Sequence, residues 1–202
     1  MTEKKLFIFA GPNGSGKSTI VANALELRQC PIKFICPDNL VPPEDKDNAE
    51  AYLKAMREAE ALRLLEIAQG NSFSFETVLS RPDKLDFINY AKFHGYYVHV
   101  VYVTTHNSEI NISRVKIRVE QGGHDVPKDK IISRYEKSME LMFDVICAAH
   151  AADVYDNSGI EPEVVAGKRS GVFIIRTNPP EWLKKYLLSK NQAQKIPIYY
   201  FD

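Results

Sequence analysis

Residues 11–18 read Gly-Pro-Asn-Gly-Ser-Gly-Lys-Ser, and glycines spaced this way in front of a lysine suit the holding of phosphate. Gly11, Gly14 and Gly16 open backbone conformations that a side chain would block. The loop through Pro12, Asn13 and Ser15 can then turn its N–H groups inward as a nest around anionic oxygens. Lys17 extends from the end of the nest towards the β- and γ-phosphates, and Ser18 offers a hydroxyl for Mg²⁺. A helix beginning near Lys17 adds partial positive charge at the same point. A dinucleotide-binding turn is the rival reading, since Gly14-x-Gly16 is present. Its third glycine position holds Thr19, however, and a lysine inside the turn suits a nucleoside triphosphate.

Phosphoryl transfer to an alcohol also needs a carboxylate for the hydroxyl proton and cations for the moving phosphoryl group. Asp38, in Cys36-Pro37-Asp38-Asn39, follows a short apolar stretch and could take that proton; Pro-Asp-Asn is equally ordinary turn chemistry. Glu76 ends Phe73-Ser74-Phe75-Glu76, as a substrate contact, as part of the Mg²⁺ shell or as a cap. Arg114 and Arg118 share a helix face, Gly122-Gly123 follows, and Arg134 lies beyond. Helix, glycine hinge and helix with arginines on both sides is the pattern of a closing lid over about 114–134. A solvated helix with surface ion pairs is the plainer alternative, with Glu109, Glu120, Glu136 and Glu140 nearby.

These residues need a scaffold, and the hydrophobic pattern supplies one. Leu6–Ala10 is a continuous apolar run, as expected of a strand covered on both faces. Helix follows over Ser18–Leu27, strand over Lys33–Cys36, and helix from about Asp45 to Gln69 with Leu53, Met56, Ala59, Leu64 and Ile67 at helical spacing. Phe73–Phe75 is a strand, Arg81–His94 a helix, Tyr97–Val103 the strongest strand. A helix capped by Asn107 or Ser108 reaches Glu120, and another runs from Pro127 to Ala149. Asp153–Tyr155 is a strand. Val164–Ala166 and Val172–Ile175 flank Gly167–Gly171 as a hairpin, and Pro180 opens a last helix to about Lys190. The expected fold is α/β: a mostly parallel sheet with helices on both faces and an arginine-bearing lid. One domain spans 1–202, with a hairpin plus helix at about 162–190.

The 202 residues carry 26 Lys+Arg against 26 Asp+Glu. That balance disfavours nucleic acid or an anionic membrane as the main partner. No apolar run approaches the ~20 residues of a membrane span. Cys30, Cys36 and Cys147 have no zinc spacing and read as thiols of a reducing, cytoplasmic compartment. A guanine-reading Asn-Lys-x-Asp and a Leu-Ser-Gly-Gly-Gln signature are both absent, and Val98–Val103 ends in Thr104-Thr105 rather than an aspartate. Small-molecule kinases remain. A nucleotide-binding module without transferase activity, steered by a partner at Ile196–Phe201, is the reading from another class.

Taken in order, Gly11–Thr19, Pro37-Asp38-Asn39, Phe75–Ser80, Arg114-Val115-x-x-Arg118 with Gly122-Gly123-His124-Asp125-Val126-Pro127, Arg134-Tyr135 and Asp156-Asn157-Ser158 resemble the zeta-toxin-like kinases over about residues 4–158. The resemblance implies a P-loop kinase fold, with ATP and Mg²⁺ as cofactors. The implied activity is phosphorylation of a sugar hydroxyl on UDP-N-acetylglucosamine or a related UDP-amino sugar. It implies that Gly11–Thr19 and Asn157 meet the nucleotide, that Asp38 is the base, and that Glu76, Thr77 and Arg114 meet substrate. Arg118 and Arg134 would stabilise the transferring phosphate. It also implies a toxin, with the antitoxin a separate protein. The region after Ser158 has no match in this pattern.

Overall fold

The computed structural model describes residues 3–45 and 48–202. Its eight strands form a sheet in the order β2-β3-β1-β4-β5-β6-β7-β8. Strands β1 (Lys4–Ala10), β2 (Phe34–Ile35), β3 (Phe73–Thr77), β4 (Tyr96–Thr104) and β5 (Ala151–Asp156) are parallel. Strands β6 (Glu163–Arg169) and β7 (Val172–Arg176) run antiparallel, and β8 (Ile198–Phe201) closes the edge parallel to β7. The crossovers are α1 (Lys17–Glu26), α2 (Ala49–Gln69), α3 (Asp83–Phe93), and α4 (Ser108–Glu120) with α5 (Lys128–Ala148). This is the three-layer, mostly parallel α/β architecture expected of alternating strand and helix patterns.

The unbroken apolar strands follow from cover on both faces. Leu6, Ile8, Val98, Val100 and Tyr102 join one core with Ile88 of α3, Met139, Met142 and Phe143 of α5, and Leu183 and Leu187 near the C-terminus. Phe9, Val101 and Val103 face the other way, onto Val21 of α1. Each fully buried side chain of this kind contributes about 1.5–3 kcal/mol. A third, small core of Val115, Val126 and Ile131 sits between α4 and α5. The region expected to be a lid therefore carries packing of its own around its glycine pair.

Several boundaries and faces differ from expectation. Helix α2 starts at Ala49, because the Asn48 side chain accepts the N–H groups of Glu50 and Ala51. The part of the expected helix at Lys46 and Asp47 lies outside the described residues. Its inward face is Ala55, Ala59, Arg63, Glu66 and Ile67, whereas Leu53, Met56 and Leu64 are exposed. Alanines let the helix approach the sheet, Arg63 covers the Phe75 ring at 4.8 Å, and Glu66 pairs with Lys33 at 2.5 Å. Polar side chains with specific partners thus displaced leucine from the inner stripe.

In the hairpin, the turn is Ser170-Gly171, both at positive φ (51° and 79°), as a tight two-residue turn requires. Gly167, Lys168 and Arg169 belong to β6. The last helix is broken into α6 (Glu181–Leu183), a π turn over Lys184–Leu188 and α7 (Ser189–Gln194). The Asn191 side chain then accepts from Ile196 N–H at 3.0 Å and donates to Ile196 C=O at 2.9 Å, aiming the chain into β8. The tail pairs with its own sheet. No helix among the described residues is long and apolar enough to cross a membrane.

Candidate active site

The loop between β1 and α1 lies at the C-terminal ends of the parallel strands, where an α/β sheet gathers its ligands. Its glycines are required by what surrounds them. A Cβ at Gly11 (φ 143°) would lie 2.0 Å from the Val103 carbonyl oxygen, and one at Gly16 (φ 90°) 2.1 Å from Asn157 Nδ2. Lys17 is buried, and its ammonium donates to Pro12 C=O at 2.9 Å across the loop. Burial holds that ammonium below the ordinary lysine range, Glu76 partly restores it, and the charge of Arg118 lowers it further.

Strand β3 brings Glu76 to the loop. Phe9 is opposite Glu76 and Ala10 opposite Thr77 in the β1–β3 register, and Gly11 N–H donates to Thr77 C=O at 3.2 Å. One carboxylate oxygen of Glu76 is then 3.6 Å from Lys17 Nζ, and the other accepts from the Ser18 hydroxyl at 3.3 Å. The Thr77 hydroxyl accepts Leu79 N–H at 3.2 Å. Thr77 thereby secures the strand end, and Thr19 is exposed on the first turn of α1. Asp38 sits exposed in a 3-10 turn over Pro37–Asn39, just beyond β2. It faces Tyr52 of α2, whose phenol is pushed above the ordinary tyrosine range by burial and then by the Asp38 charge.

Helices α4 and α5 supply the cations. Arg134 of α5 donates to Asn13 Oδ1 at 3.2 Å, directly over the loop. Arg118 of α4 donates to His124 C=O at 2.6 Å. Arg114 donates to Gly159 C=O at 3.3 Å, on the opposite side of the loop from Asp38. Asn157 donates to Ser15 C=O at 2.8 Å, and its own N–H reaches Thr104 C=O at 2.7 Å. Its amide thus braces the loop from beneath. Among the described residues, Ser15 Oγ and Arg114 Nη1 are the buried side-chain atoms without a hydrogen-bond partner. Ser15 is in the loop, and Arg114 is held by the Asn157–Gly159 segment beside it. Unsatisfied buried polar atoms are rare in folded proteins and mark places where a ligand completes the bonding.

Three contributors were not singled out in the sequence. Asn111 of α4 is fully buried, donates to Asn13 C=O at 2.7 Å and accepts from the Thr105 hydroxyl. A signal existed: an asparagine four residues before Val115, on the inward face of α4, is a buried polar group in need of partners. Trp182 donates to Asp156 at 2.8 Å, tying α6 to the end of β5. Tyr52 was lost among the leucines of α2.

Known proteins resemble this chain in sequence and in fold. The zeta toxin family model matches residues 37–162, which excludes the loop at 11–18. An uncharacterized protein of Haemophilus influenzae is 33% identical over 134 residues, covering 66% of this chain and 94% of its own length. Among solved structures, the AvrRxo1-ORF1:AvrRxo1-ORF2 complex matches with a TM-score of 0.69 and 20% identity over 91% of this chain. This chain spans 63% of the length of that neighbour, whose complex has also been determined with ATP. The PezAT toxin–antitoxin system of Streptococcus pneumoniae matches with a TM-score of 0.64 and 17% identity, covering 96% of this chain and 85% of its own. At these identities the structural neighbours establish the fold.

Proposed function

The chain belongs to the zeta toxin family, and from that premise we propose that it transfers the γ-phosphoryl group of ATP to a hydroxyl of a small substrate, a UDP-activated amino sugar such as UDP-N-acetylglucosamine. The observation that carries the proposal is the Glu76 carboxylate spanning Lys17 and Ser18 at the mouth of the phosphate loop, with Asp38 on one side and Arg134 above.

In this reading the loop N–H groups and Lys17 hold the phosphates, and the unpartnered Ser15 hydroxyl lies among them. Asp38 orients the acceptor hydroxyl and takes its proton. Arg134 and Arg118 neutralise charge as the phosphoryl group moves, an effect worth roughly 10³–10⁵ in rate in related transfers. Arg114 and the Asn157–Gly159 segment lie on the other side of the loop from Asp38, which suits the nucleoside end of ATP.

The oxygens of Ser18 and Glu76 fit Mg²⁺, which prefers one or two protein oxygens together with phosphate and water. Bound there, the ion would supply charge neutralisation. The likeness to the PezAT toxin–antitoxin system supports a toxin role with a separate antitoxin as partner.

The test is phosphoryl transfer followed by ³¹P NMR across UDP-sugars, nucleosides and simple sugars. The expected result is a new phosphomonoester on a UDP-amino sugar. It should be lost in Lys17→Ala, and lost with ATP binding retained in Asp38→Asn and Arg134→Ala. Near-normal turnover in the last two variants would overturn the roles, and ATP binding without transfer to any acceptor would overturn the activity.

A further inference from the structure

Asn13 is met by both helices that follow β4. Its carbonyl accepts from the Asn111 amide of α4 at 2.7 Å, and its side-chain oxygen accepts from Arg134 Nη1 of α5 at 3.2 Å. The two contacts belong to one closed circuit. The Asn111 side-chain oxygen accepts from the Thr105 hydroxyl, and Thr105 C=O accepts from the Tyr135 hydroxyl at 2.7 Å. Tyr135 is the chain neighbour of Arg134, so the path returns to its start. The phosphate loop, the end of β4, α4 and α5 are tied in a ring that closes on the Asn13 side chain.

The rest of the ring is held by packing and hydrogen bonds. Asn111 and Tyr135 are buried. Before Asn13, Lys17 donates to Pro12 C=O at 2.9 Å. After it, α4 comes so close that a Cβ at Gly14 would lie 2.5 Å from the backbone oxygen of Asn111. Ile131, one turn before Arg134, packs with Val115 and Val126. The arginine side chain is the part that these contacts leave to Asn13. Among the described residues Arg134 makes this one hydrogen bond and has no carboxylate partner. Arg169 and Arg176, by contrast, pair with Asp153 and Glu163. A guanidinium carries five N–H donors. With one spent on a neutral amide, the full charge and the other donors remain available over the loop.

We infer that Asn13 is a positioning residue that aims Arg134 at the phosphoryl group in transfer. A neutral acceptor orients the guanidinium without cancelling its charge. An aspartate in the same place would orient it and cancel the charge, and an alanine would do neither. The inference rests on the kinase reading for its effect on rate, but not for the aim itself.

The experiment has two arms on the whole protein. Nitrogen-15 NMR of the Arg134 side chain, its Nε signal identified by its absence in Arg134→Lys, reads the aim without nucleotide or acceptor. Asn13→Ala should lower the order parameter of that N–H to below about 0.6, a flexible value, and Asn13→Asp should keep the wild-type value. Kinetics reads the consequence. Fixing a long side chain corresponds to about 3- to 30-fold in rate, so Asn13→Ala should lower kcat by that factor with KM for ATP unchanged. Asn13→Asp should lower kcat about 10-fold or more although the guanidinium stays ordered. Wild-type order in Asn13→Ala would overturn the aim. Order lost in that variant with kcat unchanged would overturn its use in transfer, and a raised KM for ATP with kcat unchanged would make Asn13 a matter of loop shape instead. Wild-type kcat in Asn13→Asp would overturn the need for a neutral partner. If the wild-type protein transfers to no acceptor, the kinase reading and the kinetic arm fall together, and the NMR arm alone decides the aim.

Discussion

Replacing Asn111 by alanine is a sharp test of how the phosphate loop is held. The side chain is 0% exposed, its amide donates to Asn13 C=O at 2.7 Å, and its oxygen accepts from Thr105. Thr105 keeps Asn107 C=O as an alternative acceptor at 2.8 Å, so the truncation orphans chiefly the Asn13 carbonyl. An orphaned buried acceptor costs about 1–3 kcal/mol, and the small void adds to it. A loss of about 2–3 kcal/mol is expected, or roughly 4–12 °C in Tm for a chain of this size. Because the lost bond orders Asn13, ATP must then order the loop on binding, and a tenfold rise in Kd corresponds to about 1.4 kcal/mol. The expected Kd for ATP therefore rises about tenfold or more by titration calorimetry. Asn191→Ala is the matched control. That asparagine is also buried and also makes two hydrogen bonds, but to Ile196, far along the chain from the loop. It should lose comparable stability with ATP affinity intact. Equal affinity losses in both variants, or none in Asn111→Ala, would refute the idea that α4 orders the loop through this side chain.

Three further outcomes follow from the same structure. Lys168 is 7% exposed and donates to the carbonyls of Ile146, Cys147 and Ala149 at 3.2, 2.6 and 2.7 Å. Charge-assisted bonds to a helix C-terminus are strong, so Lys168→Met should cost about 2–4 kcal/mol in urea unfolding while ATP affinity holds. Gly16→Ala puts a Cβ 2.1 Å from Asn157 Nδ2 at a φ of 90°, and should weaken ATP binding at least about tenfold by calorimetry. Asp153 is paired with His99 at 2.7 Å and Arg169 at 2.5 Å. Burial would raise its pKa, but the bonds and charges of His99 and Arg169 outweigh that and hold it below the ordinary aspartate value. Its stabilisation is then complete above about pH 4 and is lost as pH falls through the depressed folded value. Asp153→Asn should flatten the acid limb of a plot of urea midpoint against pH.

The sheet was legible in the sequence because a strand covered on both faces can only be a run of apolar residues. The meeting of Lys17 with Glu76 was legible because each residue type has few other uses in its place: a lysine inside a glycine turn, a carboxylate ending a Phe-rich strand. Thr77 and Asn157 were legible as positions but not as contacts. A threonine hydroxyl or an asparagine amide serves the backbone as readily as a ligand, and here Thr77 meets Leu79 and Asn157 meets Ser15. Helix α2 was legible as a helix but not in its faces, because spacing cannot tell a leucine turned outward from one turned inward when alanines do the packing. Lys168 was misread as turn chemistry. A lysine next to glycine suggests a hairpin tip, and only the fold brings the end of α5 to meet its ammonium.

That misreading bears on the residues after Ser158. The family match ends at residue 162, and the segments beyond it pair with, cap and pack on the elements that carry the site. Strand β6 adds to β5 and removes it from the sheet edge. Lys168 fastens the C-terminus of α5, the same helix that presents Arg134 over the loop from its other end. Trp182 holds Asp156, whose other oxygen accepts Ser158 N–H, and Ser158 in turn receives His106 N–H at the start of α4. An arginine can meet a moving phosphoryl group only if its helix arrives from a fixed origin. The C-terminal strands and helix supply that origin at the C-terminal end of α5.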